Sequence, residues 1–251
     1  MRYFIQLSYD GTAYHGWQVQ PNADTVQAHI NQALSTLLRQ PTSTTGAGRT
    51  DTGVHARMLV AHFDTDTPID CNDLSRRLTR MLPADIAIQQ IVPVSPHAHA
   101  RFDAISRTYH YDICCQKDPF DRHFSTRIHY QLDFERMNQA AQTLIGKYDF
   151  TSFSKSGTDT KTNICTITEA RWFPLSEGRW RFRITADRFL RGMVRAIVGT
   201  LFSVGTGKLT LEAFQDILQQ ANRSAAGESA PAIGLSLVDV GYPEDIFQPK
   251  K

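Results

Sequence analysis

The chain has 251 residues, of which 41% are hydrophobic and 21% charged, and its formal net charge at pH 7 is +2. These values are typical of a globular protein of one or two domains, and they exclude a disordered chain and a strongly basic nucleic-acid module. No run approaches the roughly 18 apolar residues that span a membrane, and residues 2–7 alternate like a strand rather than a signal peptide, so we expect a cytoplasmic protein. The four cysteines form no Cys-x-x-Cys pair, which disfavours zinc and thioredoxin-like chemistry.

The first half of the chain alternates between strand and helix patterns. Strands are predicted at residues 3–9, 58–63 and 86–94. Asp24 and Gln27 predict a capping box at the start of a helix whose apolar residues recur at helical spacing. A second amphipathic helix, with Leu74 and Leu78 on its apolar face, ends before Pro83. The order predicts an α+β sandwich with its helices on one side of the sheet.

Residues 45–56 have almost no apolar content and contain three glycines. We therefore expect a shaped loop, termed the Asp51 loop, that presents Arg49, Asp51 and His55. A surface turn is one interpretation. A phosphate-binding loop is a second, but Asp51 stands where a dinucleotide motif needs its third glycine, and no Gly-Lys-Ser/Thr follows. The third is a catalytic loop in which a carboxylate is held beside a guanidinium.

Two further polar groups in this half have a structural and a functional interpretation. Arg76, Arg77 and Arg80 share the polar face of the second helix, where a solvated face is favoured over RNA contact. His97 and His99 would point the same way from a strand. Metal ligation by these histidines is a minor alternative.

The second half opens with a strand at 104–115, in which Arg107, Tyr109 and Tyr111 share one face. We place the domain boundary before this strand, which gives domains 1–103 and 104–251. Further patterns predict a helix at 134–145, a polar loop at 152–162, strands at 164–173 and 180–186, a helix at 211–218 and a last strand at 235–240.

Basic residues concentrate between positions 171 and 195, where seven arginines face only two acids. In the strand around 180–186, Arg179, Arg181 and Arg183 alternate with apolar residues, and we term these three arginines the basic strip.

The helix predicted at 189–204 would place Arg188, Arg191 and Arg195 on one face. Three aligned arginines repel one another unless an anion lies opposite. Contact with phosphate or a carboxylate is therefore favoured over a solvated face.

Several motifs together resemble one enzyme family. The nine residues from Gly48 to Ala56 resemble the signature of the tRNA pseudouridine synthase A family. Other motifs similar to those of the family follow in order along the chain: Tyr9 to Thr12 with Gly16 to Gln18 (the N-terminal motif), Arg107 to Tyr111, Phe189 to Arg195, and Ala230 to Leu235. The resemblance thus covers nearly the whole chain.

The resemblance implies a fold, a reaction and partners. The fold would be the pseudouridine synthase fold, an α+β architecture of two α/β subdomains whose largely antiparallel sheets form a central sheet, with helices on the outer face and an active-site cleft between the subdomains. The reaction would convert uridine to pseudouridine at positions 38, 39 and/or 40 of the anticodon stem-loop of tRNAs. It would need no cofactor and no metal, and the family acts on tRNA as a homodimer.

The resemblance also implies roles for individual residues. Asp51 would be the catalytic carboxylate, which either acts as a nucleophile at the ribose or the base or takes a proton from the sugar. Arg195 would be the guanidinium that pairs with it, because an adjacent arginine favours the ionised carboxylate. Tyr109 would take part in catalysis and stack on the uracil, an interaction that contributes about 1–3 kcal/mol per base. Arg49 would brace or fill the position that the extruded base leaves.

The remaining assignments rest on position and charge. Substrate binding would rest on the basic strip through phosphate contacts, and Arg188 and Arg191 are assigned to it as well. His55 is assigned to the same site, with a structural hydrogen bond inside the loop favoured over proton transfer. Arg188, Ala196 and Cys165 depart from the family pattern, in which a small residue, an asparagine and an arginine are usual.

Two other classes of protein stay open at this point. A catalytically silent tRNA-binding protein accounts for the arginines and aromatic residues, but it gives no reason for a carboxylate inside a basic site. A metal-dependent hydrolase would use Asp51 together with His55, His97 or His99.

Overall fold

The computed structural model describes residues 1–155, 157 and 160–247. The strands are β1 (Arg2–Tyr9), β2 (Thr45–Gly46), β3 (His55–Asp64), β4 (Ile86–Val94), β5 (Ser106–Cys114), β6 (Thr126–Arg127), β7 (Gly146–Asp149), β8 (Ile164–Ser176), β9 (Arg179–Ala186) and β10 (Leu235–Gly241). The α-helices are α1 (Val26–Leu38), α2 (Cys71–Met81), α3 (Phe134–Gln142), α4 (Met193–Gly205) and α5 (Leu211–Gln220).

Two compact units divide the chain. Unit 1 contains residues 1–106 together with the chain from position 237, and unit 2 contains residues 107–236. Most of β10 thus belongs to unit 1, whereas the division into domains 1–103 and 104–251 remains a prediction.

Unit 1 has strands in the order β4-β1-β3-β10, with the short β2 beside β3. β1 pairs antiparallel with β3 and with β4. The fully buried Ile5 and Leu7 alternate with the half-buried Gln6 and Ser8, as a strand with one buried face requires. α2 packs along β4. All three strands and both helices predicted in this half are present.

The predicted capping box at the start of α1 is wrong. The helix begins after Thr25, and neither Asp24 nor Thr25 provides a side-chain cap. The Gln27 side chain instead donates to the Thr44 carbonyl oxygen at 2.6 Å and accepts from the Val19 N–H at 3.0 Å. Gln27 therefore bonds to residues outside the helix instead of capping the helix N-terminus.

His62 lies on β3 and is buried, with 7% of its surface exposed. Its Nδ1 accepts the Ala100 N–H at 3.1 Å, and its ring meets the edge of His99 at a centroid distance of 4.7 Å. Burial, followed by the positive charge of Arg2 and the neighbouring His99, lowers the pKa of His62 to about 4. The native protein therefore holds this imidazole neutral.

This burial predicts a pH-dependent stability. Between pH 6.5, the ordinary pKa, and about pH 4, the unfolded chain binds a proton at position 62 that the native chain does not. The free energy of unfolding should therefore fall by up to about 3 kcal/mol as the pH falls through this window. Above the window, the loss of stability due to His62 should be absent. Urea unfolding across this range measures the slope. His62→Asn, whose amide oxygen can accept the Ala100 N–H, should flatten it, and identical slopes in both proteins would contradict the assignment.

Unit 2 has strands in the order β5-β9-β8-β7, with β6 parallel to β5. β9 pairs antiparallel with β5 and with β8, and β8 pairs antiparallel with β7. On β9, Phe182 and Ile184 are fully buried and Trp180 is half-buried, so the predicted apolar face is confirmed. α3 packs against β8 and α4. Each unit is thus a mixed α+β layer with mostly antiparallel strands, and the predicted fold class is confirmed.

α4 starts later than predicted. Gly192 precedes it in the left-handed conformation, with φ of 70°, so the helix begins at Met193 rather than at Phe189. Arg188 and Arg191 therefore lie in the segment before the helix, and only Arg195 lies on it. The predicted row of three arginines on one helix face is wrong, although the buried side with Ile197 and Leu201 is confirmed.

The basic strip on β9 is paired with acids. Arg179 contacts Asp118 and Asp121. Arg181 forms a bidentate ion pair with Asp112, in which two guanidinium nitrogens each donate to a carboxylate oxygen at 2.7 Å. Arg183 lies 3.2 Å from Glu169. Every arginine of the strip thus has a carboxylate partner within unit 2, which leaves less positive charge for an external anion than the sequence suggested.

The polar loop predicted at 152–162 lies partly outside the described residues, at 156, 158 and 159. Thr151–Phe153 form a short 3-10 turn, in which Ser152 and Phe153 are buried. The Ser152 hydroxyl donates to the Ile217 carbonyl oxygen at 2.5 Å. The start of this segment is therefore part of the core of unit 2.

Candidate active site

The Asp51 loop connects two paired strands of unit 1. Thr45 and Gly46 form β2, which lies antiparallel to His62 and Ala61 of β3. The Ala47 N–H donates to the Val60 carbonyl oxygen at 2.7 Å. The loop is thus the long connection of a β-hairpin, and the strand predicted at 58–63 follows it as part of β3.

Asp51 begins a tight turn at the far end of this hairpin. The Val54 N–H donates to the Asp51 carbonyl oxygen at 3.1 Å, and the Gly53 N–H donates to the Tyr14 carbonyl oxygen at 3.2 Å. The Asp51 residue is half-buried and Arg49 is exposed. An acid and a cation are therefore both presented near the surface on a hydrogen-bonded turn.

The N-terminal motif packs against the loop from both sides. A Cβ atom on Gly11 would lie 2.0 Å from the Val54 carbonyl oxygen, and one on Gly16 would lie 2.3 Å from the Thr50 carbonyl oxygen. Gly16 also has a φ of 88°, which side chains rarely tolerate. Only glycine permits this close approach of the N-terminal motif to the Asp51 loop.

His55 is a buried part of the loop scaffold, with 1% of its surface exposed. Its Nδ1 accepts the Gly11 N–H at 3.0 Å and lies 3.1 Å from Asp10 Oδ1. Both contacts join the buried ring to the N-terminal motif, at Gly11 and at Asp10. This geometry favours the structural alternative for His55 over substrate contact.

Tyr109 lies on β5 in unit 2, with 9% of its surface exposed. The edge of its ring meets Phe189 at a centroid distance of 5.1 Å and an interplanar angle of 88°. Tyr111 is fully buried, and its hydroxyl bonds to Thr126 Oγ1 at 2.7 Å and to the Pro231 carbonyl oxygen at 3.0 Å. Burial raises the pKa of Tyr111 well above the ordinary value. Tyr111 is therefore a core residue, and Tyr109 is the more exposed of the two tyrosines on this strand.

Arg195 is oriented by the motif near the end of the chain. Its Nε donates to the Ala230 carbonyl oxygen at 2.7 Å, and the Ala230 N–H donates to the Arg195 carbonyl oxygen at 2.9 Å. Gly199, one turn further along α4, allows the Glu228 backbone so close that a Cβ would overlap it. The segment at 228–231 thus fixes the plane of the Arg195 guanidinium.

Arg188 and Arg191 lie in a segment with a fixed backbone. The Arg188 N–H donates to Asp187 Oδ1 at 2.7 Å, and the Arg191 carbonyl oxygen accepts the Lys155 N–H at 2.9 Å. Arg188 is half-buried and Arg191 is exposed. The two side chains are presented from a structured turn, not from the helix that the sequence predicted.

Two of the three positions that depart from the family pattern, Cys165 and Ala196, are buried, whereas Arg188 is half-buried. Cys165 and Ala196 are 0% and 1% exposed. Burial raises the pKa of the Cys165 thiol to about 12, so the side chain stays protonated. Both departures are accommodated in the core of unit 2.

No cluster suited to a metal ion is found among the described residues, where no three His, Cys, Asp or Glu side chains come together. His97 is exposed, and His99 Nδ1 accepts the N–H groups of Arg101 and Phe102 at 3.1 and 3.3 Å. In the described part of the chain, no helix has the length and apolarity needed to cross a membrane.

The sequence-predicted site residues therefore fall into two groups. Arg49, Asp51 and His55 share one loop in unit 1, and the others, Tyr109, Arg188, Arg191 and Arg195, lie in unit 2. Sequence reasoning missed the contact between Tyr9 and Thr50 that supports the Asp51 loop. Both residues belong to motifs that the sequence singled out, but nothing local indicated that they touch.

Comparison with known proteins matches both halves of the chain to a single family. The family model described as tRNA pseudouridine synthase matches residues 6–103 and 140–243. The chain is 58% identical to tRNA pseudouridine synthase A of Porphyromonas gingivalis over 249 residues, covering 98% of this chain and 99% of the relative. It is 55% identical to the protein of that name from Bacteroides fragilis, covering 98% of each, and 42% identical to that of Acetivibrio thermocellus, covering 94% of this chain and 97% of the relative.

These matches define an isomerase of RNA uridines built on an α+β fold. The chain belongs to the tRNA pseudouridine synthase family.

Proposed function

We propose that this enzyme isomerises uridines 38, 39 and/or 40 of the tRNA anticodon stem-loop, with Asp51 as the reacting acid. The observation that carries the proposal is the presentation of Asp51. A half-buried carboxylate begins a tight turn, and the turn belongs to a loop that two glycines of the N-terminal motif hold at close range. An acid presented in one orientation suits a reaction in which it must meet the reacting group of the substrate in a single geometry.

The reaction moves the uracil from one bond to another. The bond between N1 and C1′ breaks, the freed base turns, and a bond between C5 and C1′ forms while C5 loses a proton and N1 gains one. There is no net oxidation, so the reaction needs no redox cofactor. Asp51 acts as the nucleophile, at the ribose or at the base.

The groups in unit 2 supply charge and an aromatic surface to the same reaction. Arg195, whose guanidinium plane is set by Ala230, pairs with the Asp51 carboxylate. Tyr109 lies beside the extruded uracil, with Phe189 supporting its ring. Extruding a base costs a few kcal/mol, and Arg49 fills the position that the base leaves.

RNA is held through its phosphates by Arg188 and Arg191. Phosphate contacts position a nucleic acid without reading its sequence, which suits an enzyme that acts on many tRNAs. The basic strip contributes less than predicted, because each of its arginines has an acidic partner. A homodimer would bring two sets of these cations to one tRNA and so offset the modest net charge of +2. The reaction would take place in the cytoplasm.

Arg191→Ala should weaken tRNA binding, and it should reduce the slope of log affinity against log salt by about 1. The matched variant is Arg181→Met, which also removes one arginine from unit 2. Since the Arg181 guanidinium is already paired with Asp112, its loss should leave the salt slope unchanged. Fluorescence titrations at several salt concentrations measure both slopes. Equal slopes in the two variants would rule out a specific phosphate contact at position 191.

Chemical mapping of pseudouridine in an unmodified tRNA transcript tests the proposal. Incubation with the wild-type protein, without added metal or cofactor, should place pseudouridine at one or more of positions 38 to 40. A transcript with cytidine at these three positions should stay unmodified. Binding without any product would instead favour the catalytically silent tRNA-binding protein. Pseudouridine formation that a chelator does not reduce would exclude the metal-dependent hydrolase.

A further inference from the structure

Thr50, the residue immediately before Asp51, is held at three points by the N-terminal motif. Its Oγ1 lies 2.8 Å from the Tyr9 hydroxyl oxygen, and both side chains are buried. Its carbonyl oxygen accepts the Trp17 N–H at 3.3 Å, and Gly16 packs against that same oxygen. The backbone that enters Asp51 therefore has little freedom.

Tyr9 is itself fixed on both sides. As the last residue of β1 it pairs with Ala56, the last residue of the Asp51 loop. Its ring stacks on Trp17 at a centroid distance of 6.4 Å and an interplanar angle of 23°. Tyr9 thus contacts the Asp51 loop on both sides of Asp51, through its backbone at Ala56 and through its hydroxyl at Thr50.

We propose that Tyr9 is a positioning residue for Asp51. Its hydroxyl bonds to Thr50 Oγ1 and so fixes the backbone dihedral angles that set the direction of the Asp51 carboxylate. This inference rests on the proposed function, in which Asp51 is the reacting acid. Tyr9 has 4% of its surface exposed, so it acts through Thr50 and not on the RNA.

Reaction chemistry is far more sensitive to such a contact than folding is. A reacting group must lie within about 3–3.5 Å of its target, and a displacement of about 1 Å can lower a rate by about 100-fold. One lost hydrogen bond leaves the sheet, the glycine contacts and the aromatic stack of unit 1 in place. A positioning role and a purely structural role therefore predict different kinetics.

The experiment compares Tyr9→Phe, Thr50→Val and the double variant with wild type, using unmodified tRNA. Single-turnover rates at saturating protein, tRNA Kd and Tm are measured for each. We expect Tyr9→Phe and Thr50→Val each to lower the single-turnover rate about 10–100-fold while Kd changes by less than about twofold. The double variant should be no slower than either single variant, because both remove the same bond. Thr50→Ser, which keeps a hydroxyl, should restore most of the rate lost in Thr50→Val.

Tyr242→Phe is the matched control within unit 1. Its hydroxyl donates to the Ala100 carbonyl oxygen at 2.6 Å, so the variant also removes one tyrosine hydrogen bond. It should lower Tm by a similar amount and leave the single-turnover rate at the wild-type value.

The possible outcomes separate this inference from the proposed function. An active wild type with an unchanged rate in Tyr9→Phe overturns the positioning role alone, as do rate losses that multiply in the double variant. A wild type that makes no pseudouridine overturns the proposed function together with the inference. Should Tyr9→Phe fail to fold, the comparison of Thr50→Val with Thr50→Ser gives the same decision.

Discussion

Asp51→Asn is expected to bind tRNA with wild-type affinity and to lose pseudouridine formation by about 10⁴-fold or more. Asparagine has nearly the same shape, but its neutral amide is neither a nucleophile nor a base. The turn that begins at this residue is closed through its backbone carbonyl oxygen and the Val54 N–H, so that bond survives the substitution. Single-turnover conversion of an unmodified tRNA and a separate binding titration measure the two effects.

Asp66→Asn provides the control for charge. Asp66 is exposed in unit 1, after β3, and its neutralisation removes one negative charge outside the proposed site. This variant should convert tRNA at the wild-type rate. If Asp51→Asn retained turnover within about tenfold of wild type, Asp51 could not be the reacting acid.

Arg195→Ala is expected to lower the rate of conversion by about 10²–10³, the usual cost of removing one preorganised charged group from an active site. Its effect on tRNA affinity should be smaller, because the guanidinium is proposed to face the carboxylate rather than the phosphates. Arg195→Lys keeps the charge but not the planar group that bonds Ala230, so it should recover only part of the rate.

Arg223→Ala separates this electrostatic role from a structural one. Arg223 donates to the Ala226 and Gly227 carbonyl oxygens and to Ser229 Oγ, so it contacts the segment at 228–231 that holds Arg195 and the two residues before it. Its loss should lower stability without a comparable loss of rate. A similar rate in Arg195→Ala and Arg223→Ala would refute the ion pair between Asp51 and Arg195.

The sequence predicted most elements of the fold because their patterns are local. Alternation identified β1, β4 and β9, and helical spacing identified α2. Where the prediction was wrong, a distant contact or a single backbone conformation decided the outcome. Gln27 bonds to Thr44 instead of capping α1, and Gly192 delays the start of α4.

The charge of the basic strip could not be predicted for the same reason. The partners of Arg179, Asp118 and Asp121, lie about sixty residues earlier in the chain. Period-two alternation shows which side chains share a face, but it does not show what lies opposite that face. The strip was therefore interpreted as free positive charge, whereas the structure pairs each of its arginines.

The candidate site was predicted in part. The composition of the Asp51 loop was enough to indicate a shaped loop, since three glycines and no apolar run leave few alternatives. Its support was not predictable, because Tyr9 and Thr50 are separated by 41 positions and only the pairing of β1 with β3 brings them together. The same holds for Arg195 and Ala230, which are 35 positions apart.

A structure of the protein bound to an anticodon stem-loop tests the central claim most directly. Asp51→Asn should hold this RNA without converting it. We predict an extruded uridine from positions 38 to 40, with the residue 51 side chain about 3–3.5 Å from its C1′ or its uracil ring, and with Tyr109 and Arg195 around the same nucleotide. A stem-loop bound with its uridines stacked, or with residue 51 remote from the extruded nucleotide, would contradict the claim that this carboxylate performs the reaction.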